Sequence, residues 1–323
     1  MEVLVLKGWW IKKMNSCKSE EYVSGFIALL GAPNAGKSSL LNRLVGEKVS
    51  IVSHKPQTTR YRVSGICTRE KAQMVFVDTP GFLPPANKGR LSSEMERSLV
   101  EAGKSVDVRV LVCDVQRMER DNQYLVGLVK RWAEYEILAP QIIVLNKIDL
   151  IEKEVLLKLL SLTYDVYRSN WNDDRVEILP VSARKKIGLK EFEKCICNCL
   201  PQGEQLYPDD IICDRGDSFM TSECIREKVF LRLHKELPYC TDVRIEKIEM
   251  QPEIVRINAL IVVERESQKG IVVGKNGQTI KSIGIAARKD LEMYFDKQVM
   301  LELFVKVEPD WSQQVQVANG LCE

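Results

Sequence analysis

Gly31-Ala32-Pro33-Asn34-Ala35-Gly36-Lys37-Ser38 fits the pattern G-x-x-x-x-G-K-[ST], with an aliphatic run at 26–30 before it and an amphipathic stretch at 38–45 after it. Strand, glycine-rich turn and helix N-terminus in that order make a phosphate cradle: the turn points backbone N–H groups inward and the positive end of the helix dipole faces the anion. Lys37 is expected to reach the outer phosphates and the Ser38 hydroxyl to ligate Mg²⁺.

Outward from this loop, short aliphatic runs alternate with longer amphipathic stretches, the pattern of a parallel sheet with crossover helices. Strands are expected at 26–30, 74–77, 108–113, 142–145 and 178–181. Ligands of open α/β sheets bind beyond the carboxyl ends of the strands. The turns after the first, second, fourth and fifth strands should therefore converge on one ligand.

Asp78-Thr79-Pro80-Gly81 follows the second strand; Asp78 is placed to hold the Mg²⁺ shell and the Gly81 amide to approach the γ-phosphate, with Phe82 next in the chain. Asn146-Lys147-Ile148-Asp149 reads the base. A carboxylate accepts from the N1–H and 2-amino groups of guanine, which adenine does not offer together, so Asp149 selects GTP over ATP while Asn146 orients the loop and the Lys147 stem stacks on the ring. Ser182-Ala183 supplies a backbone N–H for the guanine carbonyl. The segment 54–60 is polar and turn-rich and reads as a switch that brings a hydroxyl to Mg²⁺ when the γ-phosphate is present; Thr59 is the first choice and Thr58 the alternative. Lys37, Thr59 and Gly81 are the catalytic candidates, Ser38, Thr59 and Asp78 the metal ligands. A second switch is expected from Gly81 through 84–89.

At 323 residues, with 45% apolar and 28% charged, the chain is long enough for two domains of roughly 100–200 residues each. The net charge of +2 means that any polyanionic partner is met by a local patch. No apolar run approaches the roughly 18 residues that span a bilayer. Ten cysteines without a recognisable secretory leader suit a reducing compartment. Cys195, Cys197 and Cys199 are read as packing residues of a helix rather than as a zinc cluster. Residues 1–11, with Trp9-Trp10 and nearby lysines, are expected to be a disordered tail or to precede a true start at Met14; an interfacial anchor is the alternative.

A Pro/Asp-rich stretch at 202–213 ends this rhythm and reads as a linker. Beyond it the pattern is helix at 222–237, strands at 243–250 and 255–264, helices over 270–295 broken at Gly274-Lys275-Asn276-Gly277, and a strand at 299–307. That α-β-β-α-α-β order with G-x-x-G between two helices is the plan of a type II KH domain. Lys269, Lys275, Lys281, Arg288 and Lys289 surround the G-x-x-G without an acidic residue among them, and together with Gly274, Asn276 and Gly277 they are the RNA-binding candidates. The glycines admit a single-stranded backbone, the basic side chains neutralise it, and Ile271, Val272, Val273 and Ile280 are expected to floor a groove for bases.

These pieces together resemble the bacterial Era GTPases over 24–311. The resemblance rests on the motifs above and on Pro56-Gln57-Thr58-Thr59-Arg60, Ser222-Glu223-Cys224-Ile225-Arg226-Glu227-Lys228 and Val263-Glu264-Arg265-Glu266-Ser267-Gln268-Lys269. It implies an α/β P-loop GTPase domain with a doubly wound, mostly parallel sheet (24–201), a linker (202–213) and an α+β type II KH domain (214–311), with 1–23 and 312–323 as extensions. It further implies slow GTP hydrolysis, Mg²⁺, binding to the 3′ end of small-subunit ribosomal RNA in small-subunit assembly, a monomer, and a cytoplasmic place with peripheral membrane contact. Ras-like GTPases carry Gln where Phe82 stands, and Asn34 matches a phosphate-loop Asn of relatives that bind K⁺, so K⁺ stimulation is expected. Ala35 where Val is usual, Cys213 in place of Thr and the extra N-terminus depart from the pattern. A constitutive RNA-binding scaffold with a structural nucleotide domain is the alternative function, and a P-loop kinase or ATPase is opposed by Asp149.

Overall fold

The computed structural model describes residues 21–53, 55, 58–82, 90–121, 123–171, 175–309 and 311. The expectations for 1–20, for part of the first switch (His54, Pro56 and Gln57), for the second switch beyond Phe82 and for 312–323 lie outside the described residues.

The first sheet runs in the order β2-β3-β1-β4-β5-β6, from β1 (Val23–Gly31), β2 (Val63–Arg69), β3 (Ala72–Asp78), β4 (Val108–Asp114), β5 (Ile142–Asn146) and β6 (Glu177–Val181). All neighbours are parallel except β2, which pairs antiparallel with β3. Alternate residues of β1 enter two different cores: Ala28 and Leu30 pack with α2 (Arg90–Lys104), α4 (Tyr124–Glu134) and α5 (Lys153–Trp171), while Ile27 and Leu29 pack with α1 (Lys37–Val45) and α6 (Leu189–Cys199). A strand buried on both faces reads as a continuous apolar run, which is why the interior strands are plain in the sequence. Helix α3 (Val115–Arg120) leaves the end of β4 under an Asp114 cap, whose carboxylate accepts from the Gln116 amide at 3.0 Å. Cys195, Cys197 and Cys199 pack against the α1 side of the sheet.

The strand β2 was not expected. Its Val-Ser-Gly-Ile-Cys-Thr-Arg sequence carries no sustained apolar run, and it is buried by α1, against which Cys67 and Gly65 lie, together with a later stretch of chain along its edge. Residues 202–214 run along this side of the sheet: Ile66 N–H donates to the Ile212 carbonyl at 2.9 Å, Ser64 N–H to Asp214 Oδ1 at 2.8 Å, and Gln73 Nε2 to the Tyr207 carbonyl at 2.8 Å.

The second sheet, β7-β8-β9, is built from β7 (Thr241–Met250), β8 (Ile254–Val263) and β9 (Gln298–Val307); β7 and β8 are antiparallel, β8 and β9 parallel. One face is covered by α7 (Asp217–Arg232), α8 (Glu266–Val273) and α9 (Gln278–Phe295) around Val229, Ile257, Ile261, Ile283 and Leu291. Helix α7 starts five residues before the expected 222 and stops at Arg232 instead of 237. Leu233 leaves it in an extended conformation, and the Lys55 ammonium donates to the carbonyls of Phe230 and Leu233 at its end. Val262, on the other face of β8, packs with Trp311 and with Tyr61 of the first domain.

Candidate functional site

A cleft of about 590 Å³ opens at the carboxyl ends of the first sheet, lined among others by Pro33, Asn34, Lys37, Ser38, Thr59, Gly81, Lys147, Asp149 and Ala183. The sequence places these residues in five separate segments; the parallel strands β1, β3, β5 and β6 bring four of them to one rim, and Thr59 joins from the stretch before β2.

In the phosphate loop Gly36 sits at φ +95°, and a Cβ there would lie 2.2 Å from Asn146 Nδ2. Only glycine fits both the left-handed conformation and that approach. The buried Lys37 ammonium donates to the carbonyls of Gly31 and Ala32 at 3.2 and 3.0 Å, which holds it over the loop. Burial pulls its pKa down to about 8, against the attraction of Asp78.

Ser38 Oγ donates to Asp78 Oδ2 at 2.6 Å, and Thr59 Oγ1 lies 3.1 Å from Ser38 Oγ and 3.4 Å from Asp78 Oδ2. Burial raises the Asp78 pKa, opposed by Lys37 and by the hydroxyls of Ser38, Ser50 and Thr59. Asp78 Oδ1 is buried with no hydrogen-bond partner among the described residues. A buried orphan carboxylate oxygen beside two hydroxyls is a hard-oxygen donor set that suits Mg²⁺ with phosphate oxygens and water completing the shell. Thr58 is turned away: its hydroxyl donates to the Lys55 carbonyl at 2.7 Å, so Thr59 and not Thr58 is the hydroxyl beside Ser38 and Asp78.

Asn146 joins the phosphate loop to the base end of the cleft. Its Nδ2 donates to the Ala35 carbonyl at 2.9 Å, and its Oδ1 accepts the amides of Lys147 at 2.8 Å and Ala183 at 3.2 Å. Asp149 Oδ1 accepts from Ser182 Oγ at 2.5 Å, which fixes the carboxylate at the rim. Lys147, at φ +71°, has its ammonium 2.7 Å from Asp114 Oδ2.

Several expected residues support the cleft from behind it. The Phe82 side chain is 4% exposed and stacks on Tyr135 at 5.8 Å, and its amide donates to the Gly31 carbonyl at 3.0 Å, so it belongs to the core and offers the nucleotide no side-chain contact. The Thr79 hydroxyl is spent on the Leu29 carbonyl, and Ile148 packs on the hydrophobic core. Two contributors were missed. Ser50 Oγ donates to Asp78 Oδ2 at 2.6 Å, for which the sequence carries no signal. Asp114 directly follows the expected third strand (108–113) and is the last residue of β4, so a strand-end position is the signal it carries.

In the second domain Gly274 and Gly277, at φ +74° and +71°, bracket Lys275 and Asn276 at an exposed tip between α8 and α9. Lys281, Arg288 and Lys289 are exposed on α9, outside its buried stripe of Ile283, Ala287 and Leu291, and Lys269 is half-buried on α8. Among the described residues Lys275, Lys281 and Lys289 have no ion-pair partner, whereas Arg288 Nε is 3.6 Å from Glu292. The expected apolar floor needs correction: Val272 is fully buried in the domain core, and Val273 and Ile280 are half-buried. The side chains that face outward are Ile271 and Ile285, 55% and 56% exposed.

Comparison with known proteins adds two family matches: the family described as 50S ribosome-binding GTPase over residues 26–147 and the KH domain over residues 236–312. The chain is 40% identical to GTPase Era of Pseudomonas aeruginosa over 299 residues, 92% of this chain and 94% of that protein. It is 39% identical to GTPase Era of Lactobacillus helveticus over 295 residues, 91% and 94% of the two chains. A crystal structure of Era with MgGDPNP and nucleotides 1506–1542 of 16S ribosomal RNA superposes with a TM-score of 0.82 at 35% identity, covering 92% of this chain and 98% of that one. An Aquifex aeolicus Era variant bound to GDP·AlF4⁻ superposes with a TM-score of 0.81 over the same shares.

Proposed function

The chain belongs to the Era GTPase family, and from that premise we propose that it binds and hydrolyses GTP and binds the 3′ end of small-subunit ribosomal RNA in small-subunit assembly. The observation that carries the reading is the meeting, in one cleft, of a phosphate loop, the oxygens of Ser38, Thr59 and Asp78, and the carboxylate of Asp149.

In this reading the amides of 31–38 and the Lys37 ammonium hold the phosphates, and Asp149 accepts from guanine N1–H and the 2-amino group. Ser38, Thr59 and Asp78 would hold Mg²⁺, which supplies Lewis-acid neutralisation of phosphate charge when bound. Gly81, at the lip of the cleft, offers its amide to the γ-phosphate. Phe82 cannot orient water, so intrinsic turnover is slow, and Asn34 is the candidate K⁺ ligand that supplies part of the missing stabilisation. Equal hydrolysis rates in KCl and NaCl would remove the K⁺ assignment.

RNA binding is assigned to Lys269, Lys275, Lys281, Arg288 and Lys289 around Gly274, Asn276 and Gly277, with Ile271 and Ile285 as the apolar contacts. The proposed division is a nucleotide domain at 24–201, a connection at 202–213 and an RNA domain at 214–311. The family resemblance extends the proposal to a cytoplasmic monomer with peripheral membrane contact; no helix among the described residues is long and apolar enough to cross a bilayer.

The test is GTP and ATP hydrolysis by the full chain with Lys37→Ala as control. GTP turnover lost in the variant, with ATP a poor substrate, is expected. Identical traces for wild type and variant would favour a constitutive RNA-binding scaffold, and ATP serving as well as GTP would revive an ATPase.

A further inference from the structure

Thr59, whose hydroxyl meets Ser38 and Asp78 in the first domain, is followed directly by a residue rooted in the second. Arg60 is 5% exposed, and its guanidinium donates to the carbonyls of Thr241 at 2.8 Å, Pro238 at 2.9 Å and Tyr239 at 3.2 Å. Asp242 Oδ1 lies 4.0 Å away, and the guanidinium carbon stands 5.4 Å from the Phe230 ring centre and 5.8 Å from that of Trp311. We propose that Arg60 is a positioning residue: its anchorage in the second domain holds the Thr59 hydroxyl at the metal site, so that docking of the RNA-binding domain completes the hydrolytic site.

Successive Cα atoms are about 3.8 Å apart, so fixing Arg60 leaves Thr59 little room to leave Ser38 and Asp78. A guanidinium suits the task because its planar fork serves several carbonyls at once and stacks on rings, which an ammonium does not do. The desolvation of its charge is offset only while those carbonyls and rings are in place. Moving the second domain away would therefore release Arg60 and, with it, Thr59.

Arg60 is not the sole grip on this stretch. Val52 N–H donates to Glu227 Oε1 at 3.0 Å, the Lys48 ammonium reaches Glu227 at 2.6 Å and Asp290 at 2.8 Å, and Lys55 caps the end of α7. Asp290 follows Lys289 on α9, the helix that carries Lys281 and Arg288. Thus both ends of the segment that delivers Thr59 are held by α7, α9 and the turn before β7. Lys48, Val52, Lys55 and Arg60 therefore tie this stretch to the second domain, a hold additional to the γ-phosphate contact proposed for Thr59.

The inference rests on the GTPase reading above, and the test separates the two. Full-length wild type, Arg60→Gln and Trp311→Leu are compared for GTP hydrolysis across a range of Mg²⁺ and for GDP affinity. In Arg60→Gln, kcat should fall about tenfold or more and the Mg²⁺ needed for half-maximal rate should rise several-fold, since a small displacement of a ligating group has effects of that order. Trp311→Leu should move both in the same direction by less. GDP affinity should stay at the wild-type value in both, because Thr59 is called on only when the γ-phosphate is present. Unchanged kcat and Mg²⁺ dependence in both variants, or a loss of GDP affinity in step with kcat, would overturn the role of Arg60. A wild type that hydrolyses no GTP would instead overturn the proposed function.

Discussion

The Asn146 carboxamide donates to the Ala35 carbonyl at 2.9 Å, so the end of β5 is bonded directly to the phosphate loop. Because Asn146 Oδ1 also accepts the amides of Lys147 and Ala183, one buried side chain sets the distance between the phosphate and base ends of the cleft. Replacing it affects both ends together.

Asn146→Ala leaves the Ala35 carbonyl and two amides without their partner. Each unsatisfied buried group costs about 1–3 kcal/mol, part of it recovered by water, so GTP and GDP affinity should weaken roughly tenfold to a hundredfold. Titration with a fluorescent guanine nucleotide checks this; affinity within twofold of wild type for both nucleotides would show that the three loops hold their spacing without Asn146.

Glu227 and Asp290 share the ammonium groups of Lys48 and Lys228 at the domain contact, and Glu227 is the more buried of the two. Burial alone would raise its carboxyl, but hydrogen bonds from Lys228, Lys48 and the Val52 amide overcome that and bring it below its ordinary value of 4.5. A carboxylate depressed in the folded state contributes stability that is fully present above the ordinary value and is lost as pH falls through the folded one. Glu227→Gln should therefore destabilise the protein by about 1–2 kcal/mol at pH 7, discounted for the exposed Lys48, and the difference from wild type should shrink as pH drops below about 4.5. Urea unfolding of both proteins at several pH values measures it; a difference that stays constant into acid would remove the ion-pair explanation.

Gly277 separates charge from conformation at the candidate RNA face. It sits at φ +71°, and a Cβ there would meet nothing within 4 Å. Asn and Asp both tolerate the left-handed region, so Gly277→Asn and Gly277→Asp should fold alike and differ only by one negative charge. The Asp variant should lose about tenfold or more in affinity for single-stranded RNA at moderate salt, and the Asn variant only a few-fold, with GTP affinity intact in both. Filter binding at two salt concentrations is sufficient. Equal RNA affinity in the two variants would move the site away from this turn.

What the sequence discloses and what it conceals divide along one physical line. The loops that close on the cleft are legible because each follows an apolar strand buried on both faces, and strand ends of a parallel sheet must share an edge. Gly274 and Gly277 are legible because a tight turn between two amphipathic helices leaves few other residues. Strand β2 is not, because its short mixed sequence carries no sustained apolar run and its free edge is paired by 212–214, some 150 residues further on. The hold on Arg60 comes from carbonyls at 238–241 and a tryptophan at 311, and no local pattern can announce a partner that distant. Val272 was misassigned because apolar residues beside a G-x-x-G turn look alike whether they face a groove or the core, and the register of α8 sends this one inward.

Contacts from Lys48, Val52 and Arg60 to the second domain couple the nucleotide and RNA sites in the proposed function, and the coupling is read most directly as the affinity of the full chain for a single-stranded RNA matching the 3′ end of 16S ribosomal RNA, taken once with a non-hydrolysable GTP analogue and once with GDP. Linkage through Lys48, Val52 and Arg60 predicts binding about tenfold tighter with the analogue, and the same factor between analogue and GDP in the reverse titration with RNA present. Equal RNA affinity in the two nucleotide states would contradict the coupling and leave two independent sites on one chain.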